Sequence, residues 1–149
     1  PMAYANRYEA CWELIDRASA IAKAEPDPFL EGSLWLAKGH VQYSEGKYTD
    51  AWKSLDSSYI LFESLGARDR LATVQFERGR IKHALKAFDE AKSFFQPLVA
   101  ELEAGKQWFQ LAQLYGYLAE GYAGQNNMPE AYKAMKNVDQ YRDSLQFIA

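Results

Sequence analysis

The chain has 149 residues, 48% of them apolar and 15% aromatic, which is enough for one ordinary domain with a core. A net charge of −3 offers no general attraction to nucleic acid or anionic lipid, and one cysteine rules out an internal disulfide. No apolar run is long enough to span a bilayer and no signal-peptide pattern is visible, so a soluble, cytoplasmic protein with no nucleic-acid or membrane partner is expected.

Apolar spacing is helical almost throughout. Tyr8, Cys11, Trp12, Ile15, Ala18 and Ile21 keep the three-and-four rhythm of one buried face, so a first helix runs from there to about Glu25. Pro26 and Pro28 stop it. A second helix is predicted from about Phe29 to Ser44, with a turn at Glu45-Gly46-Lys47. The third covers roughly Thr49 to Ser64 and ends at Gly66, a residue suited to the left-handed cap. A fourth spans Asp69 to Leu85, and the Lys86-Ala87 turn after it lacks the glycine that Gly46 supplies.

The fifth helix, Phe88 to Ala104, carries Pro97 in its middle, where a lost backbone bond and a steric clash predict a kink or break. A sixth runs from Gln107 to Gly124. After Asn126-Asn127 as turn and cap, Pro129 sits comfortably in the first turn of a seventh, which reaches Phe147. There is no strand signal.

A second regularity overlies the helices. Gly39, Gly79 and Ala119 are 40 residues apart, as are Ala51, Ala91 and Ala131. Tyr48, Ala51 and Leu55 return as Phe88, Ala91 and Phe95, then as Met128, Ala131 and Met135; Tyr8, Cys11 and Ile15 form a half-copy before them. Self-similarity at such a period marks stacked supersecondary units that cannot bury their apolar faces alone. On this ruler Cys11 takes the place of Ala51 and reads as a buried packing residue, while Trp12, Trp52 and Tyr132 share a slot that packs between hairpins.

With Trp35, Gly39, Gly46, Tyr48, Ala51 and Leu55 in register, the chain resembles the tetratricopeptide repeat family. Gly79, Phe88, Ala91 and Phe95 match in the next unit, and Tyr115, Leu118, Ala119, Tyr122, Ala131 and Met135 in the last. The resemblance covers nearly the whole chain. It implies an all-α, right-handed superhelical array of antiparallel helix hairpins forming one domain over 1–149: a half repeat at 1–25, then repeats at 29–66, 69–105 and 107–147. The period of 40 exceeds the common form, about 34. Such lengthened repeats, with a stretch like Phe62 to Asp69, look like sensor regions of bacterial signalling proteins and transcriptional regulators. The last helix resembles the segment that joins such arrays to a nucleotide cyclase or histidine kinase. The half repeat and the Pro1-Met2 start suit a fragment of a larger protein.

What the resemblance implies about function is binding without catalysis. Its groove-lining slots fall on Ser33, Leu36, His40 and Tyr43, on Thr73, Phe76, Arg80 and His83, and on Gln113, Tyr117 and Glu120. Aromatics, an arginine and two histidines suit an extended peptide or partner helix, with Arg80 able to take a carboxylate bidentately. The carboxylate clamp of co-chaperone repeats needs lysine and asparagine where Leu36, His40 and Phe76 stand, so a less acidic, more apolar ligand is expected. His40, His83 and Glu120 show no metal-ligand spacing and read as solvent-facing or hydrogen-bonded; no metal or other cofactor is expected. No phosphate loop, nucleophile elbow or paired metal-binding cysteines point to an enzyme. A competing reading is self-association through an end face of the last helix, with Tyr132, Met135, Val138, Tyr141 and Leu145 exposed for a homodimer.

Overall fold

The computed structural model describes the backbone of residues 2–146 and the side chains of 7–146. All regular structure in that span is helical: α1 Met2–Ala24, α2 Pro28–Ser44, α3 Tyr48–Leu65, α4 Arg68–Ala84, α5 Phe88–Phe95, α6 Val99–Ala104, α7 Trp108–Gly124 and α8 Met128–Gln146. The predicted fifth helix is the broken one. A 3-10 turn, Gln96–Leu98, holds Pro97 between α5 and α6, because the ring denies the backbone bond that would carry α5 onward. Pro28, read in the sequence as a stop, also opens α2, with the Asp27 carboxylate accepting from the Phe29 amide at 3.0 Å. The predicted end of the last helix, Phe147, lies outside the described residues. None of the described helices is long and apolar enough to cross a membrane.

The turns keep the 40-residue period in their backbone. Gly46 has φ 78°, Lys86 φ 61° and Asn126 φ 59°; Gly66 at φ 64° and Lys106 at φ 54° form a second series. At each of these positions the chain leaves a helix through the left-handed region, whether or not a glycine is there to make it easy. The Lys86 turn therefore has the geometry of the Gly46 turn despite its side chain.

Residue contacts divide the chain into two compact units, Pro1–Glu77 and Arg78–Ala149, with the boundary inside α4. In the first, α2 lies antiparallel along α3. Gly39 meets Leu55 and Ala51, and Gly32 meets Phe62, so close that a Cβ on either would approach the facing side chain to about 3 Å. The Ser58 hydroxyl donates to the Gly32 carbonyl at 2.9 Å across this seam, and the Ser54 hydroxyl lies 2.6 Å from the Gln42 amide. Ala51, Leu55, Ser58 and Phe62 are thereby fully buried, the large apolar ones worth about 1.5–3 kcal/mol each against exposure. α1 is tied to the end of α2 by the Tyr8 hydroxyl donating to the Ser44 carbonyl and the Trp12 indole N–H to Glu45.

In the second unit Gly79 takes the ring of Phe95, and α7 packs along α8 over Ala131, Ala134, Val138 and Tyr141. The α8 face is anchored by an aromatic stack in which Tyr141 lies between Trp108 and Tyr115 and donates its hydroxyl to Glu103 at 2.5 Å.

Candidate functional site

Within the first unit α1, α2 and the first half of α4 enclose an open cleft of about 530 Å3. α1 supplies Cys11, Leu14 and Ile15; α2 supplies Ser33, Leu36, Ala37, His40 and Val41; α4 supplies Arg70, Thr73 and Glu77. Leu14, Ile15, Leu36 and Val41 give it an apolar floor. Its hydroxyls are turned inward to their own helices, Ser33 donating to the Phe29 carbonyl at 2.9 Å and Thr73 to the Asp69 carbonyl at 3.1 Å. Charge stands at the margins: His40 Nδ1 lies 3.7 Å from Glu77 Oε2, and the Arg70 guanidinium sits over the Phe29 ring, 5.5 Å from its centre. A cleft of this volume, mostly carbon with a few polar groups at its rim, has the size and chemistry of a site for an apolar side-chain cluster.

Four of the groove residues expected from sequence meet there: Ser33, Leu36, His40 and Thr73. Two of their neighbours do not. Tyr43 pairs with the ring of Tyr48, 5.7 Å between centres, and Phe76 is 8% exposed. Phe76 follows Thr73 by one turn of α4 yet is a core residue. Val74, nearly opposite it around the helix, is fully buried as well, so α4 is covered on more than one side.

The second unit brings four further expected residues together, but with each other. The Arg80 Nε–H donates to the Tyr117 hydroxyl at 3.1 Å, and His83 Nε2 lies 2.9 Å from Glu120 Oε2. Phe95 stacks on Tyr117 and His83 meets it edge-on, leaving a void of only about 10 Å3 among them, about the volume that one water centre occupies. Both pairs are 37 residues apart, as are His40 and Glu77 in the first unit. A step of 37 links one helix to its counterpart in the next repeat, one turn back, so side chains expected to meet a ligand form rungs between helices. Gln113 is exposed on α7 outside this cluster.

Sequence reasoning missed the α1 wall of the cleft. Cys11, expected to be buried like Ala51, is exposed, since no described helix covers its face of α1 as α2 covers that of α3. Exposure of Leu14 on the same face follows from the same cause, and the signal is present in the half-copy: a repeat ruler gives a residue's slot but not whether a neighbour fills the space opposite. Tyr132, expected between hairpins, is 64% exposed. Of the five residues expected to form an end face, Tyr132 and Met135 point outward, Leu145 is half-buried, and Val138 and Tyr141 are buried against α7. The expected face merges two stripes that the helix keeps apart: 131, 134, 138 and 141 face in, while 128, 132 and 135 face out.

Two phenols in the Glu103 cluster are perturbed. Burial, followed by its hydrogen bond to Glu103, pushes Tyr141 far above the ordinary phenol value, and burial with the nearby Glu103 charge raises Tyr115. Both phenols therefore stay protonated through neutral pH. Among the described residues no three His, Cys, Asp or Glu side chains converge as metal ligands. No protein-family model matches the chain, nor does any curated protein or solved structure.

Proposed function

We propose that this chain is a non-catalytic protein-interaction module, built as a right-handed array of hairpins of the tetratricopeptide type, which holds an apolar segment of a protein partner in the cleft between α1, α2 and α4. The observation that carries this reading is the cleft itself: about 530 Å3 floored by Leu14, Ile15, Leu36 and Val41, with its hydroxyls bonded away from it. The 40-residue period of both sequence and turn conformation supports the repeat assignment. The lengthened repeat favours a sensory or scaffolding region of a bacterial cytoplasmic signalling protein as its setting.

Peptide display against the purified chain tests the reading. Selected peptides should be rich in leucine, isoleucine or phenylalanine, and Leu36→Glu should weaken them by at least about tenfold, the factor that corresponds to about 1.4 kcal/mol of lost contact. Selection of no peptides, or of peptides indifferent to Leu36→Glu, rejects the cleft. Phe76→Ala is unsuited to this experiment because it opens the core.

A second reading is favoured by α8, where Met128, Tyr132 and Met135 form an outward apolar stripe and could join two copies of the chain.

A further inference from the structure

We propose that α1 is the docking surface for one amphipathic α-helix, laid antiparallel along Cys11, Leu14, Ala18 and Ile21 in the way α2 is laid along α3. This rests on the reading of the first-unit cleft as a contact site and goes further by stating the form and chemistry of the occupant.

The four residues are spaced three, four and three apart, so they share one face of α1 over about three turns, roughly 15 Å. That face is open: Cys11 is exposed, and Leu14 and Ile21 are each 64% exposed. Forty residues on, Ala51, Ser54 and Ser58 occupy the first three of these slots and are at most 4% exposed, because α2 lies over them, while Leu61 in the fourth is half-buried. A hundred and twenty residues on, α7 covers Ala131, Ala134, Val138 and Tyr141. What covers this face in those repeats is a helix each time, never an extended strand.

The same comparison fixes the occupant's chemistry. α2 comes close to α3 only because Gly39 has no side chain; a Cβ there would fall 2.9 Å from Leu55. Ile15 stands in the place of Leu55, so the occupant needs a glycine or alanine at that level. Leu14 and Ala18 replace Ser54 and Ser58, the two hydroxyls that bond to Gln42 and Gly32. The occupant therefore presents an apolar side chain where α2 presents Gln42. Arg17 is exposed beside the stripe and favours an acidic residue on the occupant's flank. A second copy of this chain is poorly suited, since its small-residue edges at Gly32, Gly39, Gly79, Ala112 and Ala119 are already buried in its own hairpins.

Cys11 is the only cysteine, so its alkylation rate in the full chain reports coverage of this face directly. The probe is a synthetic peptide of residues 28–44 with Gln42→Leu, stapled into a helix on its outward side. Iodoacetamide labelling should slow by about tenfold at a tenfold excess of peptide over its Kd, and Leu14→Glu should abolish the slowing while helical circular dichroism is unchanged. Labelling that is unaffected at millimolar peptide overturns the proposal. So does equal protection by an unstapled peptide carrying Leu34→Pro, which would mean an extended occupant, or protection that grows with protein concentration alone, which would mean a second copy. If display yields Leu36-dependent peptides while Cys11 stays equally reactive to the stapled helix, this inference falls and the cleft reading stands; loss of the Leu36-dependent peptides removes the cleft reading itself.

Discussion

The ring of Phe95 lies against the backbone of Gly79 so closely that a Cβ on Gly79 would fall 2.5 Å from its Cε1, with two more ring atoms at 2.8 Å. Gly79→Ala gains up to about 1 kcal/mol in helix propensity, but the overpacking it forces costs up to about 3 kcal/mol. The second effect wins, and urea unfolding should show a net loss of about 2 kcal/mol. Gly116, midway along α7, has open space for 4 Å around the position a methyl group would take, so Gly116→Ala should instead stabilise by about 0.5–1 kcal/mol. Equal effects at the two sites would mean that Phe95 moves aside freely.

Lys86 is the turn residue that replaces the glycine of the first turn. It is exposed and holds φ at 61°, a left-handed conformation that costs an L residue about 1–2 kcal/mol. Lys86→Gly relieves that strain and loses part of the gain to the greater freedom of the unfolded chain, leaving a predicted stabilisation of about 0.5–1 kcal/mol. The reciprocal change, Gly46→Ala at φ 78°, should destabilise by a similar amount. Chemical denaturation of both variants checks the pair, and a neutral Lys86→Gly would show that the turn is not strained.

The Glu103 cluster predicts a loss of stability at high pH. Tyr141 and Tyr115 bind their protons more tightly in the folded chain than in the unfolded one, with burial the leading cause for each. The stability that comes from keeping them neutral is complete below the unfolded phenol value, about 10, and is lost as pH rises through their higher folded values. The urea midpoint should therefore drop above about pH 10, and ultraviolet titration should show two phenols ionising late. Tyr141→Phe should lower stability by about 1 kcal/mol at pH 8, through loss of the bond to Glu103, and should flatten the alkaline fall. An alkaline fall unchanged in Tyr141→Phe would assign it to other groups.

The helices, their stops and the break at Pro97 were legible because each rests on a local rule: apolar period, proline geometry, a glycine cap. The candidate site was legible only in part. Ser33, Leu36, His40 and Thr73 could be placed from the groove slots that the family resemblance implies, which the 40-residue period carries from one unit to the next. Phe76 could not, since a helix flanked on several sides has more than one buried face and spacing alone does not say which apolar residue fills which. The rungs Arg80 to Tyr117 and His83 to Glu120 were likewise hidden: both partners were identified, but their distance depends on how neighbouring helices are offset along their axes, which no single helix encodes.

That same ambiguity bears on α8 and yields the test of self-association. Met128, Tyr132 and Met135 are 58%, 64% and 47% exposed, whereas Val138, one turn beyond Met135 but on the inward stripe, is 3% exposed. Met135→Lys should leave stability within about 0.5 kcal/mol, since the side chain reaches solvent and the adjacent Lys136 already carries an ammonium 4.7 Å from the centre of the Tyr132 ring. Val138→Lys should unfold the second unit, because an ammonium buried without a partner costs several kcal/mol. If α8 joins two copies, light scattering over a concentration series will show a dimer in the parent chain that Met135→Lys converts to a monomer with its helical circular dichroism preserved, the thermal midpoint falling only by the stabilisation that association supplies. A parent chain that stays monomeric throughout the series rejects the dimer, and the outward stripe is then simply the exposed side of a helix whose packing side runs through Ala131, Ala134, Val138 and Tyr141.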